Sequence, residues 1–459
     1  MTLFRSLIIG GIAVLIARPL CALLADNRLS RRRIAWVLLL APYFTPTLLT
    51  GYAYANFSLS LIHHPVINLW FYSVLVGLKF TPIAGVIFHF APAPISAEAI
   101  HCRGLLTGSR STLRSKLNHW IFLMRAGCAR GPIAAFAVVF LCAFAEFEMA
   151  SLMGVKSWTV ALFDGNAGGG VLSESLRRML GPLLCEAAAV ATVVIVLGKH
   201  RVKTTRRSAT TTKTSWFAWF YLIMAFVFVL MIPASMVLWG TVRGFNLLFE
   251  NFVLSREIIS SLLFASGATL LASVAVFWLG QSSSHRGLRF IIGQSILAIG
   301  VCLGLLGPLL LSLAVLAAVQ LPGLLPLRDT PVPLVITLAL VLLPLAFVLK
   351  RVLELMGYRS SLHLARLLPK SLPARELKWR LSTSGKFWLV VLLFVWAYWD
   401  LTASAILAPI GMTPVTVRLY NLMHYGQIAA LSAMTCATFA APILLFMLAL
   451  GTRRWWAPQ

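Results

Sequence analysis

The segment GMTPVTVRLYNLMHYG (411–426) has an earlier counterpart, GVKSWTVALFDGNAGG (154–169). Gly154 matches Gly411, and Thr159–Asp164 (TVALFD) falls on Thr416–Asn421 (TVRLYN), an offset of 257 residues in a chain of 459. Further matches lie at nearly the same offset. SLIIGGIAVLIA (6–17) aligns with SLLFASGATLLA (261–272), FTPIAGVIF (80–88) with LLPLAFVLK (342–350), and AFAEF (143–147) with AYWDL (397–401), which sets Glu146 against Asp400. A fixed period along the whole chain is the signature of an internal repeat. The reading is therefore one unit written twice.

The composition says what kind of unit. The chain is 59% hydrophobic and only 11% charged, with a mean hydropathy of +0.88; soluble globular domains carry roughly 25% charged residues. Apolar runs of about 20 residues, the length that crosses a bilayer as a helix, recur throughout. The short alternating segments of a membrane β-barrel are missing. The expected fold is all-α, a polytopic helical bundle of about eleven spans, near 3–25, 34–56, 66–90, 131–154, 179–198, 216–240, 257–281, 289–316, 331–354, 386–409 and 427–451. A re-entrant turn is expected around Gly307-Pro308.

Residues 1–200 form the first unit, 201–255 a basic loop with a linking span, and 256–459 the second unit. Each unit holds five spans. Equivalent helices are six crossings apart, so the two units have the same orientation, related by an axis along the membrane normal.

The net charge of +26 fits topology rather than nucleic acid. With the C-terminus in the cytoplasm, 29 of the 39 Lys and Arg fall in cytoplasmic segments, as the positive-inside rule requires. The N-terminus is then outside, the membrane is the cell's inner (plasma) membrane, and the basic loop 199–215 faces anionic lipid. Seven cysteines are scattered without a CxxC pair, which indicates neither a disulfide framework nor a zinc site. The first apolar run lacks small residues before a cleavage point and reads as a retained helix.

Charges inside apolar spans are costly and mark function by default. Glu146, Asp400 and Lys79 are the pathway candidates: two carboxylates at pseudo-equivalent positions favour a cation or its complex. A purely structural role, bonded to neighbouring helices or to Lys79, is the competing reading. Glu148 and Glu186 are expected to be wetted near the interface.

Two long cytoplasmic loops, 91–130 and 355–385, mix Leu with Arg and Lys as short surface helices do. They offer paired docking points for a two-fold partner, or helices resting on lipid. In the first, Glu98-Ala99-Ile100 precedes Gly104; in the second, His363-Leu364-Ala365 precedes Pro369. On these loops, together with AEFEMASLMG (145–154) and WDLTASAILAPIGMTPVTVRLYNLMHYG (399–426), the chain resembles the fused, two-unit inner-membrane permeases of binding-protein-dependent ABC importers, the ferric iron permease type. The resemblance implies a solute, ferric iron first, handed over by an extracytoplasmic binding protein. It implies two cytoplasmic ATPase subunits docked on the loops through Glu98, Ala99, Gly104, His363, Ala365 and Pro369. Neighbouring permeases of similar type carry thiamine and other small solutes. The second loop departs from the family's Glu-Ala-Ala and Gly.

No GxxxxGK[ST] sequence is present, so ATP is used by a partner and the chain itself carries no cofactor and no enzyme activity. The alternatives are an ion-gradient-driven secondary transporter with two parallel repeats, and a non-transporting membrane scaffold or enzyme.

Overall fold

The computed structural model describes residues 1–24, 29–61, 63–90, 102, 129–169, 172–198, 216–244, 246, 253–279, 288–355, 363, 377, 379, 383–424 and 428–451. Among the described residues the chain is helical, with no strand. Helices satisfy their own backbone hydrogen bonds, so an apolar chain of this kind meets lipid without orphaned N–H or C=O groups.

In chain order the first half comprises α1 (Thr2–Leu24), α2 (Leu29–Phe44), α3 (Thr47–Ser60), α4 (Pro65–Phe90), α5 (Arg130–Phe144), α6 (Glu148–Leu152), α7 (Trp158–Ala167) and α8 (Leu172–Gly198). A linking span follows as α9 (Trp216–Phe226), a π turn (Val227–Met231) and α10 (Ile232–Gly244). The second half comprises α11 (Val253–Val274), α12 (Leu288–Gly304), α13 (Pro308–Val319), α14 (Val332–Leu355), α15 (Ser384–Tyr398), α16 (Thr402–Leu407), α17 (Val415–His424) and α18 (Ile428–Gly451).

Eight helices are long and apolar enough to cross a membrane, or up to ten if each of two bent pairs counts as one crossing. The protein is a multi-pass membrane protein. All eleven expected stretches are occupied by apolar helix, but not all as straight spans. The stretch 34–56 bends by 73° between α2 and α3, and 289–316 bends by 111° between α12 and α13. The run 386–409 supplies an unbroken helix of only 15 residues, about 22 Å at 1.5 Å per residue, against a hydrocarbon core of about 30 Å.

The same helix pairings occur in both halves. α1, α4 and α5 pack on one another, as do α11, α14 and α15; α3 lies on α6 as α13 lies on α16; α7 meets α8 as α17 meets α18. Two elements depart from this pattern: α8 packs along α5, whereas α18 is covered by α10 of the linking span. Lipid tails are as apolar as leucine, so these contacts rely on close packing rather than on the hydrophobic effect. Small residues accordingly fill the α1–α4–α5 contact, with Ala13, Ala17, Ala84, Ala134 and Ala135 fully buried.

Glu186 corrects an expectation. Helix α8 begins at Leu172 rather than near 179, which puts Glu186 at mid-helix and fully buried, not wetted at an interface. Its flanking residues Cys185 and Ala189 pack beside Phe140, Phe144 and Leu305.

Candidate functional site

Four helix breaks meet in the middle of the molecule. Two have conventional breakers. Pro46 lacks an N–H and disfavours helix at Thr45, which ends α2. Gly307, at φ +82° and followed by Pro308 at the first position of α13, ends α12.

The other two breaks, at 145–147 and 399–401, contain neither Pro nor Gly. Each contains an acid. Glu146 Oε1 and Oε2 accept the Met149 and Ala150 N–H groups, at 2.5 and 3.1 Å. Asp400 Oδ1 accepts the Ala403 N–H at 2.8 Å. Each carboxylate thus takes up first-turn donors that have no partner within the short helix, α6 or α16, and its charge complements the helix dipole.

The repeated segment closes the same packet. Thr159 Oγ1 donates to the Glu146 carbonyl at 2.9 Å, and Thr416 Oγ1 to the Asp400 carbonyl at 3.1 Å. Between acid and threonine the chain turns back at Gly154 (φ +62°) and Gly411 (φ +80°), a conformation that L side chains rarely adopt. The conspicuous TVxLYN-type run is helical, within α7 and α17, and its threonine ties each helix back to the break before it.

The breaks also touch one another. A Cβ placed on Gly307 would stand 2.9 Å from Ala145 Cβ, so the α12–α13 break abuts the α5–α6 break. Tyr43, just before the α2–α3 break, packs at a tilt of 33° on Trp396, just before the α15–α16 break, with ring centroids 4.9 Å apart. Lys79, only 2% exposed, donates from Nζ to the Thr45 carbonyl freed at the α2–α3 break. Glu148 reaches across the halves: the Leu401 N–H donates to its Oε1 at 3.0 Å. Lys79, Glu146, Glu148 and Asp400 lie within electrostatic range as one group.

The two acids differ in their surroundings. The Tyr72 hydroxyl donates to Glu146 Oε2, and the Arg5 guanidinium lies over the Tyr72 ring, 4.5 Å from its centroid. The corresponding residues beside Asp400, at the offsets of the aligned segments, are Ser260 and Leu334. Ser261, next to Ser260, accepts the Val415 N–H through its Oγ at 2.8 Å.

The structure therefore brings Glu146, Asp400 and Lys79 to one buried centre, each bonded to backbone. It adds Glu148, which is half-buried. Thr159 and Thr416, Tyr72 and Arg5 were not singled out from sequence; only the threonines carried a signal, as part of the repeated run. Among the docking candidates, Glu98, Ala99, Gly104, Ala365 and Pro369 lie outside the described residues, and His363 is exposed. Among the described residues no group of three or more His, Cys, Asp and Glu is placed to hold a metal ion, and the six described cysteines form no disulfide. The arrangement is a set of helix ends whose freed backbone groups are taken up by buried charged side chains, so these groups are not left orphaned in an apolar interior. Comparison of the chain with protein-family models, with curated proteins and with solved structures returns no match.

Proposed function

We propose that this chain is a transporter permease made of two repeated units that lie side by side in the same orientation, with a solute passing between them. The observation that supports the reading is the duplicated packet: acid at a helix break, short capped helix, left-handed glycine, and a threonine bonded to the acid's carbonyl, once in each half. Discontinuous helices meeting near the middle of repeated units are the architecture by which many transporters build their sites. In this reading the N-terminus is extracytoplasmic, the C-terminus cytoplasmic, and the membrane the inner one, on the distribution of Lys and Arg.

The driving force belongs to partners. The chain holds no phosphate-binding loop, and its central carboxylates are occupied by backbone donors rather than held open for a coupling ion. Two cytoplasmic ATPase subunits docked on 91–130 and 355–385, with an extracytoplasmic binding protein supplying the solute, complete the proposal. Ferric iron is the first solute to try, on the resemblance alone.

The test is copurification of the tagged full chain from its own host. An ATPase subunit should come with it, and Glu98→Ala combined with Gly104→Leu should reduce that association. Full association and uptake in the double variant would overturn the docking assignment. A functional chain that brings down no ATPase would transfer the reading to gradient-driven transport.

A further inference from the structure

Besides their contacts at the helix breaks, the halves meet along two seams of different chemistry. The first joins α3 and α6 to the 399–401 break, α17 and α18. It is polar. The Leu401 N–H donates to Glu148 at 3.0 Å, Ser151 Oγ and Tyr420 Oη share a hydrogen bond of 2.7 Å, and Tyr52 Oη and Ser432 Oγ share another of 2.7 Å. The linking span braces it. Thr241 Oγ1 donates to the Ser432 carbonyl at 3.1 Å, and a Cβ on Gly240 would stand 2.2 Å from Ser432 Oγ.

The second seam joins α7 and α8 to α13. Leu162 packs there with Leu309, Leu310 and Leu313. Among the described residues no hydrogen bond crosses it, and no linking helix lies over it. It is also incompletely closed. A cleft of about 760 Å³ opens between α8 and α13, rimmed by Asn166, Ser173, Gln320 and Arg328, with Ile406 of α16 in its wall. That volume is within the range of small-molecule pockets, roughly 300–1,000 Å³.

We infer that the seams do different work: the polar seam is a standing hinge, and the apolar seam is the one that parts, its cleft being the mouth through which solute reaches the helix breaks. The inference rests on the two-unit permease reading. Directional bonds fix the hinge. Parting it would strand the Glu148 carboxylate and the Leu401 N–H in a low-dielectric centre. Leucine contacts are non-directional, so helices slide or separate there without leaving a polar group unpaired. The rim offers two amides, a hydroxyl and a guanidinium beside Leu172, Leu176, Leu316, Ala317 and Ile406, a mixed lining with polar groups enough to meet a small polar solute.

The test uses the full chain in intact cells, with native cysteines replaced by alanine and a membrane-impermeant maleimide as probe. Single cysteines are placed at Leu310 and Leu431, both buried in the structure, the second beside Leu48 in the polar seam's core with every hinge bond kept, and at Gln320 on the exposed rim as a control for folded protein. Leu310→Cys should label at least about tenfold faster than Leu431→Cys, the factor that one net hydrogen bond of about 1.4 kcal/mol represents. Equal or inverted rates would overturn the hinge assignment. Repeating the labelling on inverted vesicles separates this from a wrong orientation: a reversed chain labels Gln320→Cys only there, which refutes the permease topology and not the difference between seams.

Discussion

Glu146 and Asp400 sit in apolar runs, where an uncompensated carboxylate costs several kcal/mol. Each is retained at a break where backbone donors have no helical partner. Removing the carboxylate leaves those buried donors unpaired, at about 1–3 kcal/mol each. Asp400→Ala is therefore expected to lower the thermal stability of the purified protein, and Asp400→Asn, which keeps an acceptor oxygen, by clearly less. Glu146→Ala should cost more than Asp400→Ala, since two N–H groups and the Tyr72 hydroxyl lose their acceptor. Thermal unfolding in detergent measures all three. Glu146→Gln with Asp400→Asn should impair uptake while the complex still assembles. Wild-type uptake by that double variant would confine both acids to structure.

The elements show how far the sequence could be read. Spans were legible because a long, nearly uncharged apolar helix is stable in a bilayer and would be insoluble outside one. The α12–α13 bend was legible because Gly307-Pro308 is a breaker pair, and Pro46 carried the same signal at the α2–α3 bend. The breaks at 145–147 and 399–401 were not, because the residues that make them are an acid and the threonine thirteen or sixteen positions later, a pairing that no local propensity reveals. Glu186 was misplaced because the charged turn LSESLRRM (172–179) hid the true start of α8. Close packing was equally silent in the sequence. A Cβ on Gly304 would stand 2.1 Å from the Leu340 carbonyl, so α12 and α14 touch backbone to backbone there. Gly304→Ala is expected to force them apart and cost at least the ~1–3 kcal/mol of an overpacked core. Gly77→Ala in α4, with nothing within 4 Å of the new methyl, should leave stability within about 0.5 kcal/mol of wild type. Paired melting curves decide it.

At the scale of the whole molecule, symmetry and its violations carry separate messages. The matched helix pairings and the two acid packets are what the two-unit reading rests on. The linking span over α18, the arginine–tyrosine pair beside Glu146 alone, and the polar chemistry of one seam are where the halves differ. In the proposed permease two blocks would move relative to each other, and the proposed hinge would give that motion an axis.

Whether the halves share one orientation decides the account. Lys156 and Thr413 are exposed residues next to the two left-handed glycines, at equivalent places in the two units. Single cysteines at these positions, treated in intact cells with a membrane-impermeant maleimide, should both be labelled from outside, whereas Cys102 and His363→Cys in the loops should be labelled only in inverted vesicles. Labelling of Lys156→Cys and Thr413→Cys from opposite faces of the membrane would contradict it.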